Sequence, residues 1–157
     1  MIKRIAAAAL LAAASQAQAY CVFNELKDRT VVVDQETHPD ALRDERRFRG
    51  SIAPGASKCC KWQELDCNPL GRENSLVKLG ITVAGEPTYE CSVPEGTVSD
   101  VKVTGAGTIR IQHNPNAKSA YPYIVRIRAK DKDLTGPRGV ACTEPKPRQD
   151  AAPKGKK

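Results

Sequence analysis

The chain has 157 residues and a formal charge of +7, from 25 Lys and Arg against 18 Asp and Glu. The excess sits at the ends: Lys3 and Arg4 near the start, and six basic against two acidic residues from Arg138 onward, which leaves residues 20–137 at about +1. A body so nearly neutral excludes a nucleic-acid-binding domain, which carries a basic patch on its folded surface.

The first residues, "MIKRIAAAALLAAASQAQAY", read as a secretory signal peptide over residues 1–19. Lys3 and Arg4 form a positive start, Ile5 to Ala14 an apolar run, and Ala17-Gln18-Ala19 a small-x-small cleavage site. The run is too short to span a bilayer, which takes roughly 20 residues. Tyr20 precedes Cys21 where a lipid-modified cysteine wants a small residue, so cleavage is expected to leave Tyr20 first. That leaves 138 residues (157 less the 19 of the leader), enough for one domain over 20–142. No second apolar stretch is long enough for a membrane helix, so the product is expected not to span a membrane. The Ala-rich leader and the lack of an N-x-S/T site point to a periplasmic or secreted protein.

Beyond the leader the pattern has period two. "YCVFNEL" (20–26) and "TVVVD" (30–34) flank Lys27-Asp28-Arg29 and predict a hairpin. "RFRGSIAPG" (47–55) ends at a Pro-Gly turn. "SLVKLGITVAG" (75–85) sets Val77, Leu79, Ile81 and Val83 on one face. "TYECSV" (88–93), "VSDVKVTG" (98–105) and "GTIRIQHN" (107–114) follow, and Gly105-Ala106-Gly107 reads as a tight hairpin turn. "AYPYIVRIRAK" (120–130) alternates Tyr123, Val125, Ile127 and Ala129 against Arg126, Arg128 and Lys130. One Trp, two Phe and four Tyr leave the core to Val, Ile and Leu.

Eight or nine short strands with Gly/Pro turns predict an all-β fold, an antiparallel β-sandwich of Ig-like or Greek-key type. At most one short helix is expected, over residues 37–47, with Thr37 as its cap. The last stretch, "TEPKPRQDAAPKGKK" (143–157), has three prolines and five basic residues, and predicts a disordered tail.

Six cysteines, Cys21, Cys59, Cys60, Cys67, Cys91 and Cys142, predict three disulfides in an exported chain. Adjacent Cys59 and Cys60 do not suit each other as partners. On a strand they face opposite sides, so one would staple inward and the other close a local loop to Cys67. Cys21 and Cys142, at the two ends of the domain, are expected to pair. The rival reading is a copper or zinc site built from Cys59, Cys60 and Cys67 with His38 or His113; the C-C-x6-C spacing lacks paired zinc knuckles. No C-x-x-C is present for redox chemistry.

Catalytic patterns are thin. There is no G-x-S-x-G elbow, and Ser75-x-x-Lys78 opens an alternating strand whose positions i and i+3 face opposite sides. Asp131 and Asp133 in "KDKDLTG" have the start of a calcium loop but no closing Glu, and read as a solvated turn. Glu36, Asp40, Asp44 and Glu45 lie among arginines, where surface ion pairing explains them. His113 would act as a base only beside a Ser and an Asp. The expectation is therefore a non-catalytic binding protein with no cofactor. Its partner would be a protein or an anionic envelope component, met by loops 35–46 and 113–122. The residues put forward are His38, Asp40, His113, Asn114, Asn116, Tyr121 and Tyr123. The alternatives are a metal-handling protein and a small secreted hydrolase.

Overall fold

A computed structural model describes residues 18–36, 47–68, 70–73, 75–91, 101–104, 107–116, 118–129 and 132–145, with backbone alone for 18–19 and 101–104. The described residues form an all-β fold without a helix. The segments expected to hold the signal peptide, a short helix and the tail fall wholly or mostly outside them.

Eleven strands build two sheets. They are β1 (Gln18–Asn24), β2 (Val31–Gln35), β3 (Arg49–Ile52), β4 (Ser57–Lys61), β5 (Leu76–Val83), β6 (Tyr89–Glu90), β7 (Val101–Thr104), β8 (Gly107–His113), β9 (Tyr123–Ala129), β10 (Lys132–Asp133) and β11 (Val140–Cys142). Sheet A has the order β10-β9-β8-β1-β4, with β11 also on β9; sheet B has β3-β2-β5-β6, with β7 also on β5. Every pairing is antiparallel except β1 with β8, which run parallel from Tyr20↔Gly107 to Asn24↔Ile111.

The alternation read from the sequence sets the core. Sheet A turns Tyr20, Val22, Ile109, Ile111, Val125 and Ile127 inward, and sheet B turns Val31, Val33, Val77, Leu79, Ile81 and Val83 to meet them. Each such side chain contributes about 1.5–3 kcal/mol by leaving water. Tyr20 is the large exception in an aliphatic interior. Its ring meets Phe48 edge-on at 5.2 Å and its hydroxyl donates to the Cys67 carbonyl at 3.2 Å. Burial pushes the Tyr20 phenol far above its ordinary range, so it stays protonated.

One expected hairpin is an arch instead. β1 belongs to sheet A and β2 to sheet B, so residues 25–30 cross between layers. Buried Asn24 shapes the crossing: its amide donates to the carbonyls of Arg29 (2.8 Å) and Ile52 (2.9 Å), and its oxygen accepts from the Leu26 N–H. β7 lies in sheet B and β8 in sheet A, and the tight turn expected at Gly105-Ala106-Gly107 lies mostly outside the described residues.

The disulfides are Cys21–Cys59, Cys60–Cys67 and Cys91–Cys142, with no free cysteine. The local loop to Cys67 is as expected, closed by Cys60. The pairing of Cys21 with Cys142 is not: Cys21 sits opposite Cys59 in the β1–β4 register. Cys142 instead meets Cys91, where β11 lies over the end of β6 and Glu90 bridges to Thr143. A strand inserted in the middle of a sheet is within reach of its neighbour and out of reach of the chain's far end.

Candidate functional site

Parallel β1 and β8 end together, and this gathers loops at one end of the sandwich. The arch 25–30, the turn 53–56, the segment 84–88 and the β8–β9 loop 114–122 all lie there. The turn is tied to the arch by Asn24 N–H to Ala56 O (2.9 Å) and Gly55 N–H to Leu26 O (3.2 Å). The Arg29 guanidinium donates to the Glu86 and Pro87 carbonyls, holding 84–88 against the arch.

Loop 114–122 is fixed by its own polar side chains. The Asn114 amide donates to the Tyr121 carbonyl (2.8 Å), and its Oδ1 accepts from Asn116 N–H (3.0 Å). Asn116 Oδ1 accepts from Lys118 N–H (3.2 Å), and Ser119 Oγ from Tyr121 N–H (3.1 Å). Asn114 N–H closes the base onto the Pro122 carbonyl (2.8 Å). Short Asn and Ser side chains suit this work because they reach backbone groups two residues on. The result is a preset loop from which Tyr121 stands 44 % exposed.

Beside it, His113 Nε2 lies 3.5 Å from Asp28 Oδ1, and both side chains are more than half exposed. The His113 ring also packs at 5.4 Å against Tyr123. Tyr123 itself, put forward as a loop-tip residue, belongs to the core. It is 6 % exposed and meets Tyr89 edge-on at 5.1 Å. Asp28 was missed in the sequence. Nothing there signals it, because its meeting with His113 depends on the parallel register of β1 and β8.

A His–Asp pair is two-thirds of a hydrolase constellation. Among the described residues no hydroxyl is hydrogen-bonded to His113, and Ser119 Oγ is engaged within its own loop. His38 and Asp40 lie outside the described residues. So do Asp44, Glu45 and Asp131. Glu36 is paired with Lys78. Asp133 serves a turn: its Oδ1 accepts from the Thr135 N–H and hydroxyl (2.9 Å each) and the Gly136 N–H (3.1 Å), while Oδ2 faces Arg126 at 3.5 Å. These hydrogen bonds, the Thr135 N–H first, hold its carboxyl below the usual range.

Of the metal candidates, Cys60 and Cys67 meet as a disulfide, and Cys59 and His113 do not join them. Cys59 and Cys60 face opposite sides of β4, both bonded, and His113 lies at the other end of the sandwich from Cys60 and Cys67. A different group does gather at the edge: Cys60, Glu64 and Cys67 place two sulfurs and a carboxylate within 4.8 Å of one another. Among the described residues no helix is long and apolar enough to cross a membrane. No family model, curated protein or solved structure matches the chain.

Proposed function

We propose that the chain is an exported, non-catalytic binding protein that presents loop 113–122 to a protein partner or an envelope component. The carrying observation is the division of labour in that loop. Asn114, Asn116 and Ser119 are spent on holding the backbone, and Tyr121 is left out in solvent. A loop ordered before binding loses little further freedom on contact, and an exposed Tyr offers a large, amphipathic anchor. Export is supported by the leader-like start and by three disulfides, which persist in oxidising compartments. A photo-crosslinking phenylalanine placed at Tyr121 in the exporting cell tests this. An adduct of discrete mass from position 121, absent when the probe replaces exposed Glu73 instead, supports the reading. No adduct, or the same adducts from both positions, overturns it.

A second reading has one observation behind it, the Cys60, Glu64 and Cys67 group. Joined in a disulfide, the two sulfurs are not thiolates and do not ligate as such. Reduction by a phosphine would supply two thiolates beside one carboxylate, a donor set suited to zinc. Zinc binding by the reduced chain, lost in Glu64→Gln, would support a metal-handling role; no binding after reduction would remove it.

A further inference from the structure

We propose that the outer face of sheet A binds an anionic polysaccharide, with Arg110 and Arg128 as its contacts and Thr108 and Gln112 alongside. This goes beyond the loop reading and does not rest on it. The starting point is where the charge sits. Alternation sends Lys61, Arg110, Arg126 and Arg128 to this face, against Glu25 and Asp133. Among the described residues, four cations over two carboxylates leave an excess of two on this face, more than the whole of residues 20–137 carries.

The arrangement also runs against the stability of the sheet. Arg110 is the direct cross-strand partner of Arg126, and Arg128 is the partner of Thr108 one step along. Like charges placed opposite each other on one face destabilise the pairing. The protein holds them apart with separate tethers. The Arg110 guanidinium stacks 4.6 Å over the Phe23 ring and pairs with Glu25. Arg126 donates to the Gly136 and Pro137 carbonyls at 2.7 Å each and faces Asp133, so it is a structural residue that lends its charge. Arg128 is exposed and has no hydrogen bond or ion pair among the described residues. A guanidinium has five donors in a planar fork. Arg110 therefore keeps free donors beside its Glu25 contact, and Arg128 keeps all of its own.

The surroundings select among polyanions. The exposed large apolar side chains of the described residues are Val32, Leu76, Tyr121 and Leu134. Val32 and Leu76 belong to sheet B, and Tyr121 and Leu134 to loops. On the sheet A face, Ile124 is buried against the backbone near Gly139, and Phe23 lies under Arg110. Among the described residues this face therefore offers no exposed large apolar side chain to enter a bilayer or stack on an unpaired base. What remains is a flat surface of guanidinium, hydroxyl and amide groups. It suits carboxylates or sulfates carried on a hydroxyl-rich chain.

The test measures binding of the full chain to polygalacturonate and to dextran sulfate over a range of salt. The variants are Arg110→Gln with Arg128→Gln, and separately Lys154, Lys156 and Lys157→Gln in the tail. The face variant is expected to bind about tenfold more weakly, with a salt slope smaller by about two. The tail variant is expected to bind as the parent chain does. Arg128→Gln alone, at a side chain with no hydrogen bond or ion pair among the described residues, serves if the double change disturbs folding. Unchanged binding by the face variants, loss of binding in the tail variant, or binding only to anionic phospholipid vesicles would each overturn the proposal.

Discussion

Cys59 and Cys60 are neighbours in sequence and bond on opposite sides of one strand, Cys59 to Cys21 on the outer face and Cys60 to Cys67 on the core side. A one-residue slip of β4 against β1 would exchange the two faces. Both bonds then fail together, so the pair locks the register of the sheet edge.

The three disulfides close loops with separations of 38, 7 and 51 residues that do not overlap, so their effects should add. In the chain-entropy model, replacing Cys91 and Cys142 by Ser costs about 4 kcal/mol, and replacing Cys60 and Cys67 about 2.5 kcal/mol, both as upper values. Urea midpoints of the two double variants, measured at equal slope, check the order.

Lys58 guards an open edge. By alternation it points to the core side of β4. Its ammonium then reaches out 5.0 Å over the Phe48 ring and donates to the Arg49 carbonyl at 2.6 Å, bridging the edges of the two sheets. An inward-pointing lysine deters edge-to-edge pairing. Lys58→Val is expected to leave the fold intact and to form concentration-dependent oligomers, read by light scattering against the parent chain.

Asn68 holds the stapled turn from within. It is fully buried, and its amide donates to the carbonyls of Trp62 (2.8 Å) and Arg72 (2.9 Å) while its oxygen accepts from the Ser75 hydroxyl (2.5 Å). Asn68→Ala strands these partners and is expected to cost about 3 kcal/mol. Hydrogen exchange localised to residues 61–75 would report the same loosening.

Asp133 gives a pH dependence of known sign. Its carboxyl titrates lower in the fold than in the unfolded chain, where the ordinary value is about 3.9. Its stabilising contribution is complete above that value and is lost as pH falls through the lower folded one. Asp133→Asn should therefore melt below the parent chain at neutral pH and converge with it in strong acid. Asp34, held low chiefly by its hydrogen bond from Arg49, acts in the same direction.

The faces of the strands were legible, and the sheets they belong to were not. Period two in residues 75–85, 107–114 and 120–130 marks which side chains turn inward, because alternation is a local property of an extended chain. It says nothing about whether a six-residue link folds back in one layer or crosses to the other. Asn24 decides that for β1 and β2, and its polar side chain inside an apolar run was the available clue. The same blindness hid the partner of Cys21, since β1 lies between β4 and β8 rather than at an edge. Loop 113–122 was visible through its Asn, Pro and Tyr content. Its division into holding and presenting residues was not, although the alternation that sets Tyr123 with Val125 and Ile127 already separated it from Tyr121.

The central, parallel placement of β1 imposes an order on folding. Of the strands described, β1 leaves the ribosome first, yet its partner β8 begins only at Gly107. At about 5–20 residues per second, Tyr20 waits on the order of ten seconds for that neighbour. β4 arrives sooner, and with it Cys59. Where thiols oxidise, the Cys21–Cys59 bond can therefore form before β8 is in place and hold an apolar strand against β4.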